Sequence, residues 1–460
     1  MPNQNRRPRH LRTGRRLPGS SHRGNHRKYR TVHRTHRCRQ RDCFGPHVPS
    51  LPRRDGVGTP PPRSHEPAPC APENTVRSAQ PGAFVTYNSF DRGHYPVGVL
   101  TDSWCDNERN RELPVEIWYP ATDEVRGHDL DPQRQDSFTP GWVTENDTDV
   151  ELSRQAAIRN APAVPGPHRL ILLIHGWAGF RRESTFIGTH LASHGYIVVS
   201  PDVVLSTYTD VDAFLSAQTQ PTDPRALHDH LTAIADARKG DITFLVDRAE
   251  ASLDVDVSAV GITGASFGGW SSLQAPASDA RIAAIVPMCP AGGRSPVIPN
   301  ESNLFRALLD LDWKQPAATL LLAADRDALL PLDGQLELLR RVPTQDRQMV
   351  VLQSADHNHF VDDIDTGQEW LREFAHRIAA LFPQRECGNW QLVAASVVPA
   401  DEIVPGAMAH QAWRGLITAH MDAHLRSNIE ARELLHGNIS EALAHRDIGA
   451  FVIDPRPATA

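Results

Sequence analysis

Cysteine is scarce in this sequence, with 6 in 460 residues, too few to frame a chain of this length with disulfides. Long apolar runs are missing too. None approaches the roughly 18 residues that argue for a membrane-spanning helix. The first residues lack the apolar stretch of a secretory signal, so export has no support and a cytoplasmic location is the default expectation. Residues 1–80 are also poor in acids and aliphatic clusters. Of the 48 Lys and Arg, 18 fall in this segment, but only 4 of the 55 Asp and Glu do. A segment so rich in Arg, His, Pro and Gly cannot bury enough apolar area to offset the entropy of ordering it, and is expected to be a disordered basic tail. Such a tail could neutralise phosphates, but it has little aromatic interleaving and no nucleic-acid motif, so nucleic acid is not an expected partner. His33, His36, Cys38, Cys43 and His47 are metal-ligating types at spacings that fit no standard zinc finger. No metal or cofactor is expected. The rest of the chain is acidic and globular in composition.

What is present centres on Gly261-Ile-Thr-Gly-Ala-Ser266-Phe-Gly-Gly-Trp270. It follows the apolar run 257–262, which has the length and β-branched content of a buried strand, and precedes a segment that can be helical. Strand, Gly-x-Ser-x-Gly and helix in that order form a nucleophile elbow. A serine in so tight a turn needs neighbours without Cβ atoms. The helix N-terminus then lends partial positive charge to a developing oxyanion.

Around this stretch the chain alternates strand and helix. Residues 95–101 and 113–120 read as an antiparallel pair at the edge of a larger sheet, and Cys105 reads as a turn residue. The run 169–174, apolar on both faces and ending in His175-Gly176, suits a central parallel strand. A helix over 185–194, a strand at 196–200 and helical periodicity over 224–251 lead to the elbow. Strands at 282–286, 319–323 and 349–352, with a helix from Leu332, complete the alternation, and 366–382 reads as a last amphipathic helix. The pattern argues an α/β fold with a mostly parallel, doubly wound sheet flanked by helices. Beyond Pro383, residues 410–438 carry a helical apolar face with Trp413, Leu416, Ile417, His420, Met421, His424 and Leu425. His420 and His424, at i and i+4, are expected to belong to a packed face. The domain reading is therefore a tail at 1–80, a catalytic body at 81–384, and a helical extension at 385–460 packed on the body.

Acyl transfer needs a hydroxyl, a base, a carboxylate that orients the base, and donors for the oxyanion. In an open α/β sheet these sit at the carboxyl ends of strands. Ser266 is the nucleophile. His357, in Ser354-Ala-Asp-His-Asn-His-Phe360 directly after a strand, is the base, with His359 as its competitor. Asp327, four residues before Pro331, is the acid. Asp325 is its alternative, and could instead cap the turn. The oxyanion donors are the backbone N–H groups of Phe267 and Trp177, the latter in the turn after His175-Gly176. The Trp177 ring is either a wall for the substrate or a capping hydrophobe. Cys289 falls near the rim and reads first as a small buried hydrophobe.

Several stretches together resemble the platelet-activating-factor acetylhydrolase-like and dienelactone-hydrolase-like serine esterases. They are Pro96-Val-Gly-Val and Arg111-Glu-Leu-Pro-Val-Glu-Ile-Trp-Tyr-Pro120, then His175-Gly-Trp-Ala-Gly-Phe-Arg-Arg182 through Leu191-Ala-Ser-His-Gly-Tyr-Ile-Val-Val199, then Ala265-Ser-Phe-Gly-Gly269 and His357-x-x-Phe360-x-Asp362. The resemblance spans residues 82–382 in order. It implies an α/β-hydrolase fold, a metal-independent Ser-His-Asp mechanism and small-molecule ester substrates. Two departures qualify it. The acetylhydrolase acid follows the strand directly after the nucleophile helix, where this chain has Pro287-Met-Cys-Pro290 and no carboxylate. The acid here matches the next strand, as in bacterial cutinase-like polyester hydrolases, so lipid specificity is not implied. True dienelactone hydrolases use a cysteine nucleophile, where this chain has Ser266. The reading is a serine hydrolase of carboxylic esters. Its alternatives are a lactone or amide hydrolase on the same triad, or a non-catalytic hydrolase-like scaffold with a nucleic-acid-binding tail. Loops 201–223 and 291–316 are expected to shape the pocket; the oligomeric state is left open.

Overall fold

The computed structural model describes residues 87–143, 150–218, 224–298, 303–383 and 388–455. The basic tail expected at 1–80, with its His and Cys group, lies outside the described residues. Strands β1 (Val97–Asp106) and β2 (Arg111–Pro120) form the expected antiparallel hairpin. Cys105, expected in a turn, lies instead within β1, where the hairpin pairing extends to Asp106. The connection that follows contains β3 (Asp136–Phe138) and β4 (Ser153–Gln155), paired with each other, and β5 (Ile158–Arg159), which adds to the outer side of β1. Then come β6 (His168–Ile174), β7 (Tyr196–Pro201), β8 (Val255–Ala265), β9 (Ile282–Met288), β10 (Ala318–Ala324) and β11 (Arg347–Leu352), which pair in parallel. With β12 (Ala450–Ile453) they make a sheet in the order β12-β11-β10-β9-β8-β6-β7-β2-β1-β5. This is the expected mostly parallel α/β-hydrolase sheet.

Why two layers of helix cover it follows from the period of two along a strand. In β6, Leu170, Leu172 and Ile174 face one cluster of buried side chains, while Ile171 and Leu173 face the other. Met349 and Val351 of β11 repeat the first face, and Val350 and Leu352 the second. On the first side lie α2 (Tyr208–Ser216), α3 (Pro224–Arg238), α4 (Asp241–Ser252), α5 (Phe267–Ser278), α6 (Leu304–Leu308), α7 (Leu332–Arg341), α8 (Ile364–Leu381) and α9 (Trp390–Ser396). On the second lie α1 (Thr185–Ser193), α10 (Gly406–Leu425), α11 (Ile429–His436) and α12 (Ile439–Ala444). The single helical span expected over 224–251 is two helices, because the chain turns at Gly240 with φ 79°.

The segment after 384 is more than a helical addition. Helix α10 rides on the sheet so closely that a Cβ at Gly261 would come 2.6 Å from Met421 Sδ. His420 Nε2 lies 3.1 Å from the Ala318 carbonyl, and Tyr196 donates its hydroxyl to Asp422 at 2.7 Å. Burial lowers the His420 pKa well below its ordinary value, so the ring is neutral. His424 faces Asp346 at 3.7 Å. Both histidines thus belong to a packed face. The chain then closes the sheet edge with β12, antiparallel to β11 from Met349–Ile453 to Leu352–Ala450, a strand that helical periodicity did not foreshadow.

Candidate active site

The elbow is built by close approach of backbones. A Cβ at Gly268 would sit 1.9 Å from the Ile174 carbonyl oxygen, and one at Gly264 would sit 2.3 Å from the same atom. Any side chain at either position would push β8 and α5 away from β6. Between them Ser266 takes φ 57° and ψ −112°, a conformation unfavourable for an L-residue. Its amide donates to the Met288 carbonyl at 2.9 Å, and its carbonyl accepts from Trp270 N and Ala291 N at 3.0 and 3.1 Å. The strained turn is therefore fixed on both sides by main chain.

Asp327 and His357 stand at the ends of neighbouring strands. His357 Nδ1 lies 2.8 Å from Asp327 Oδ2, while Asp327 Oδ1 accepts the amides of Leu329 and Leu330 at 2.9 and 2.7 Å. Burial works against an imidazolium here, but the charge and hydrogen bond of Asp327, with a contribution from Cys289, outweigh it. The His357 pKa is raised well above 6.5. The competing residues are engaged elsewhere. Asp325 Oδ1 accepts the amide of Ala355 at 3.2 Å, tying the two loops together. His359 is buried, with Nδ1 taking the Asp356 amide at 2.9 Å and Nε2 2.9 Å from the Val404 carbonyl. Phe360 anchors the loop, stacked on Trp413 at 5.0 Å between centroids. Asp362 accepts from Thr185 N, Thr185 Oγ1 and Phe186 N at 3.0, 2.7 and 2.9 Å, capping α1.

The turn after β6 is as tightly held. His175 is buried and its pKa falls to about 3, first by burial and then by nearby Arg238, so the ring is neutral. Nε2 accepts the Val203 amide at 2.8 Å, which leaves the proton on Nδ1 to donate to the Gly176 carbonyl at 2.8 Å. The Gly176 amide donates to Glu183 Oε1 at 2.9 Å. Burial pushes the Glu183 carboxyl up to about 7.

Ser266 and His357 open on one cavity of 240 Å³. Gly176 and Trp177 form part of its wall, so the turn and the elbow meet there. Trp177 sits in that wall, its ring edge-on to Phe374 at 5.4 Å and its indole N–H donating to His230 Nε2 at 3.4 Å. Tyr208, Trp370 and Phe374 continue the aromatic lining, with Trp370 stacked on Phe374 at 4.7 Å. Tyr208, in the first loop expected to shape the pocket, lies in the wall, whereas residues 291–298 and 303–316 do not. The outer wall comes instead from the segment carrying Phe138, Gly141 and Trp142 and from α8, which sequence gave only as a last amphipathic helix.

Among the described residues, one group of Cys, His and carboxylate donors lies close enough to share an ion: Cys289, Asp327 and His357, with donor atoms within 4.8 Å of one another. Burial raises the Cys289 thiol pKa, so the thiol is protonated; the residue is buried, at φ 34°, with its sulfur beside His357 and Asp327.

Residues 156–369, which include Ser266, Asp327 and His357, match the dienelactone hydrolase family. This stretch of the chain is similar to that family, and the sheet and helices around it have the α/β-hydrolase architecture. Similar solved structures include a ferulic acid esterase from Streptomyces cinnamoneus, 22% identical over 73% of this chain and 91% of that one, with a TM-score of 0.47. A Klebsiella pneumoniae subsp. pneumoniae protein classed as a dienelactone hydrolase is 15% identical over 62% of this chain and 99% of its own, with a TM-score of 0.36. No curated protein matches the sequence. Among the described residues no helix is long and apolar enough to cross a membrane.

Proposed function

We propose that the chain is a serine hydrolase of carboxylic esters acting through an acyl-enzyme. The observation that carries this reading is the strained Ser266 turn opening on the same cavity as His357, whose Nδ1 is bonded to Asp327 at 2.8 Å. Ser266 Oγ attacks the ester carbonyl and His357 takes its proton, with Asp327 fixing the imidazole tautomer and steadying the imidazolium. The N–H groups of Trp177 and Phe267 receive the oxyanion. Collapse of the tetrahedral intermediate expels the alcohol, which takes the proton from His357. Water, activated by the same base, then releases the acid. The family match also favours lactones, which are cyclic esters open to the same attack. The aromatic wall of Trp177, Trp370 and Phe374 suits an aryl or bulky apolar group on either side of the ester.

The test is direct. A fluorophosphonate probe should label wild type at Ser266, and Ser266→Ala should lose hydrolysis of short p-nitrophenyl esters and of simple lactones. An unlabelled wild type without esterase activity would leave a hydrolase-like scaffold.

A further inference from the structure

Arg238, at the C-terminal end of α3, is 2% exposed, and among the described residues its charge is not matched by a carboxylate in direct contact. Its partners are carbonyls and hydroxyls. Nη1 donates to the carbonyls of His175 and Phe267 and to Ser271 Oγ at 3.2, 3.3 and 3.1 Å. Nη2 donates to the carbonyls of His175 and Gly176 at 3.2 Å each and to Ser206 Oγ at 2.8 Å. The guanidinium carbon lies 4.4 Å from the centroid of the Phe267 ring. Among the described residues its buried Nε–H has no partner. One planar fork therefore joins the turn after β6, the loop after β7 and the first turns of α5.

Burying a cation in this way is costly, so its placement calls for a reason beyond packing. We propose that Arg238 is a positioning residue for the oxyanion hole, orienting the amide donors of Trp177 and Phe267 and polarising that of Trp177. The proposal rests on the esterase reading above. A trans peptide is planar, with C=O and N–H pointing in opposite directions. The Gly176 carbonyl shares its peptide with the Trp177 N–H. It accepts from Arg238 Nη2, from Ser206 Oγ at 3.1 Å and from His175 Nδ1 at 2.8 Å. Three donors on one side aim the Trp177 N–H to the opposite side, away from the guanidinium, and polarisation along the peptide strengthens it as a donor. Phe267 is gripped by its carbonyl and by its ring face, and its N–H shares a peptide with the Ser266 carbonyl, itself held by Trp270 and Ala291. Arg238 thus fixes the spacing between the two donors from behind. Its positive charge, in a low-dielectric setting, favours the charged intermediate over the neutral ester.

The experiment compares Arg238→Met and Arg238→Lys with wild type and Ser266→Ala. It follows kcat and KM on p-nitrophenyl acetate, the inhibition constant of a trifluoromethyl ketone that forms a tetrahedral adduct, and folding by circular dichroism. Arg238→Met should fold and lower kcat by about 10²-fold, of the order found for loss of one oxyanion donor, with KM within a few-fold. Its ketone affinity should weaken by a similar factor. Arg238→Lys, which keeps the charge and loses the fork, should recover only part of both. Unchanged kcat in folded Arg238→Met, or lower kcat with unaltered ketone affinity, overturns the assignment. If Arg238→Met does not fold, Arg238→Lys decides, and wild-type values for both quantities overturn it. These outcomes are distinct from failure of the esterase reading, in which wild type itself neither turns over ester nor reacts with fluorophosphonate.

Discussion

Glu183 accepts the amide hydrogen of Gly176 at 2.9 Å, so a carboxyl with a pKa pushed up to about 7 holds the turn that carries Trp177. Burial is the main cause, and it exceeds the help from the Gly176 amide and from Arg238. A carboxyl whose folded pKa lies above its unfolded value of 4.5 supports the fold fully below pH 4.5, and that support is lost as pH rises to about 7. The difference corresponds to about 3 kcal/mol. Glu183→Gln keeps an oxygen for the Gly176 amide and removes the titration. Its stability in urea should match wild type near pH 4 and exceed it by up to about 3 kcal/mol at pH 8. Equal stabilities at pH 8 would contradict a carboxylate buried at a cost.

His357 has the opposite consequence for catalysis. Its pKa is raised, so the neutral base forms only as pH climbs through a value above 6.5. The kcat/KM profile should therefore rise on the alkaline side of pH 6.5. The imidazolium–Asp327 pair supports the fold fully below pH 6.5, and this is lost as pH passes the folded pKa. Asp327→Asn should lower kcat by about 10⁴, through the wrong tautomer, and move the limb to lower pH. A limb unmoved in that variant would show that some other group titrates.

The pocket wall makes a claim about size and chemistry. Trp370 is stacked on Phe374, which meets Trp177 edge-on, and all three line the cavity that Ser266 shares. Trp370→Ala removes one ring and leaves the elbow untouched. KM for aryl esters should rise by roughly ten-fold, as expected from about 1.5 kcal/mol of lost aromatic contact, while acetate esters change little. An equal effect on both would mean the ring supports the fold and not the substrate.

Much of the fold, and the turn that carries the candidate nucleophile, is legible in local signals. Gly264 and Gly268, on either side of Ser266, announce the elbow because no other residue type tolerates the Ile174 carbonyl so near. Parallel strands run apolar on both faces, so β6 and β7 stand out. Other parts had no local signature. Arg238 and Glu183 matter through what they meet in space: Arg238 reaches groups 29 to 63 residues away along the chain, and Glu183 reaches Gly176, 7 residues before it. α8 is amphipathic whether its apolar face covers a sheet or lines a cavity. β12 is too short to show periodicity, and it becomes a strand because β11 presents an open edge. Tertiary context decides such segments.

Asp356 is one more residue whose part is visible only in three dimensions. Fully buried, its Oδ1 accepts the amides of Ala328 at 3.1 Å and His357 at 2.7 Å, and its Oδ2 accepts Gln368 Nε2 at 2.8 Å. One carboxylate thus joins the acid loop, the base loop and α8. Removing it in Asp356→Ala leaves two part-buried amides without an acceptor, at about 1–3 kcal/mol each, so stability should fall by roughly 2–6 kcal/mol. The 2.8 Å contact between Asp327 and His357 depends on the same two loops, so kcat should fall at least about ten-fold even where the variant is fully folded. Asp356→Asn keeps an acceptor for the two amides, and its amide nitrogen can donate to Gln368 Oε1, which is buried without a partner, if that side chain turns over. Burial raises the Asp356 pKa, so a neutral amide suits the site, and this variant should retain most of the stability and activity lost in Asp356→Ala. Urea titrations and kcat measured side by side would check both, and an Asp356→Ala protein with wild-type kcat would show that the loops keep their register without the carboxylate.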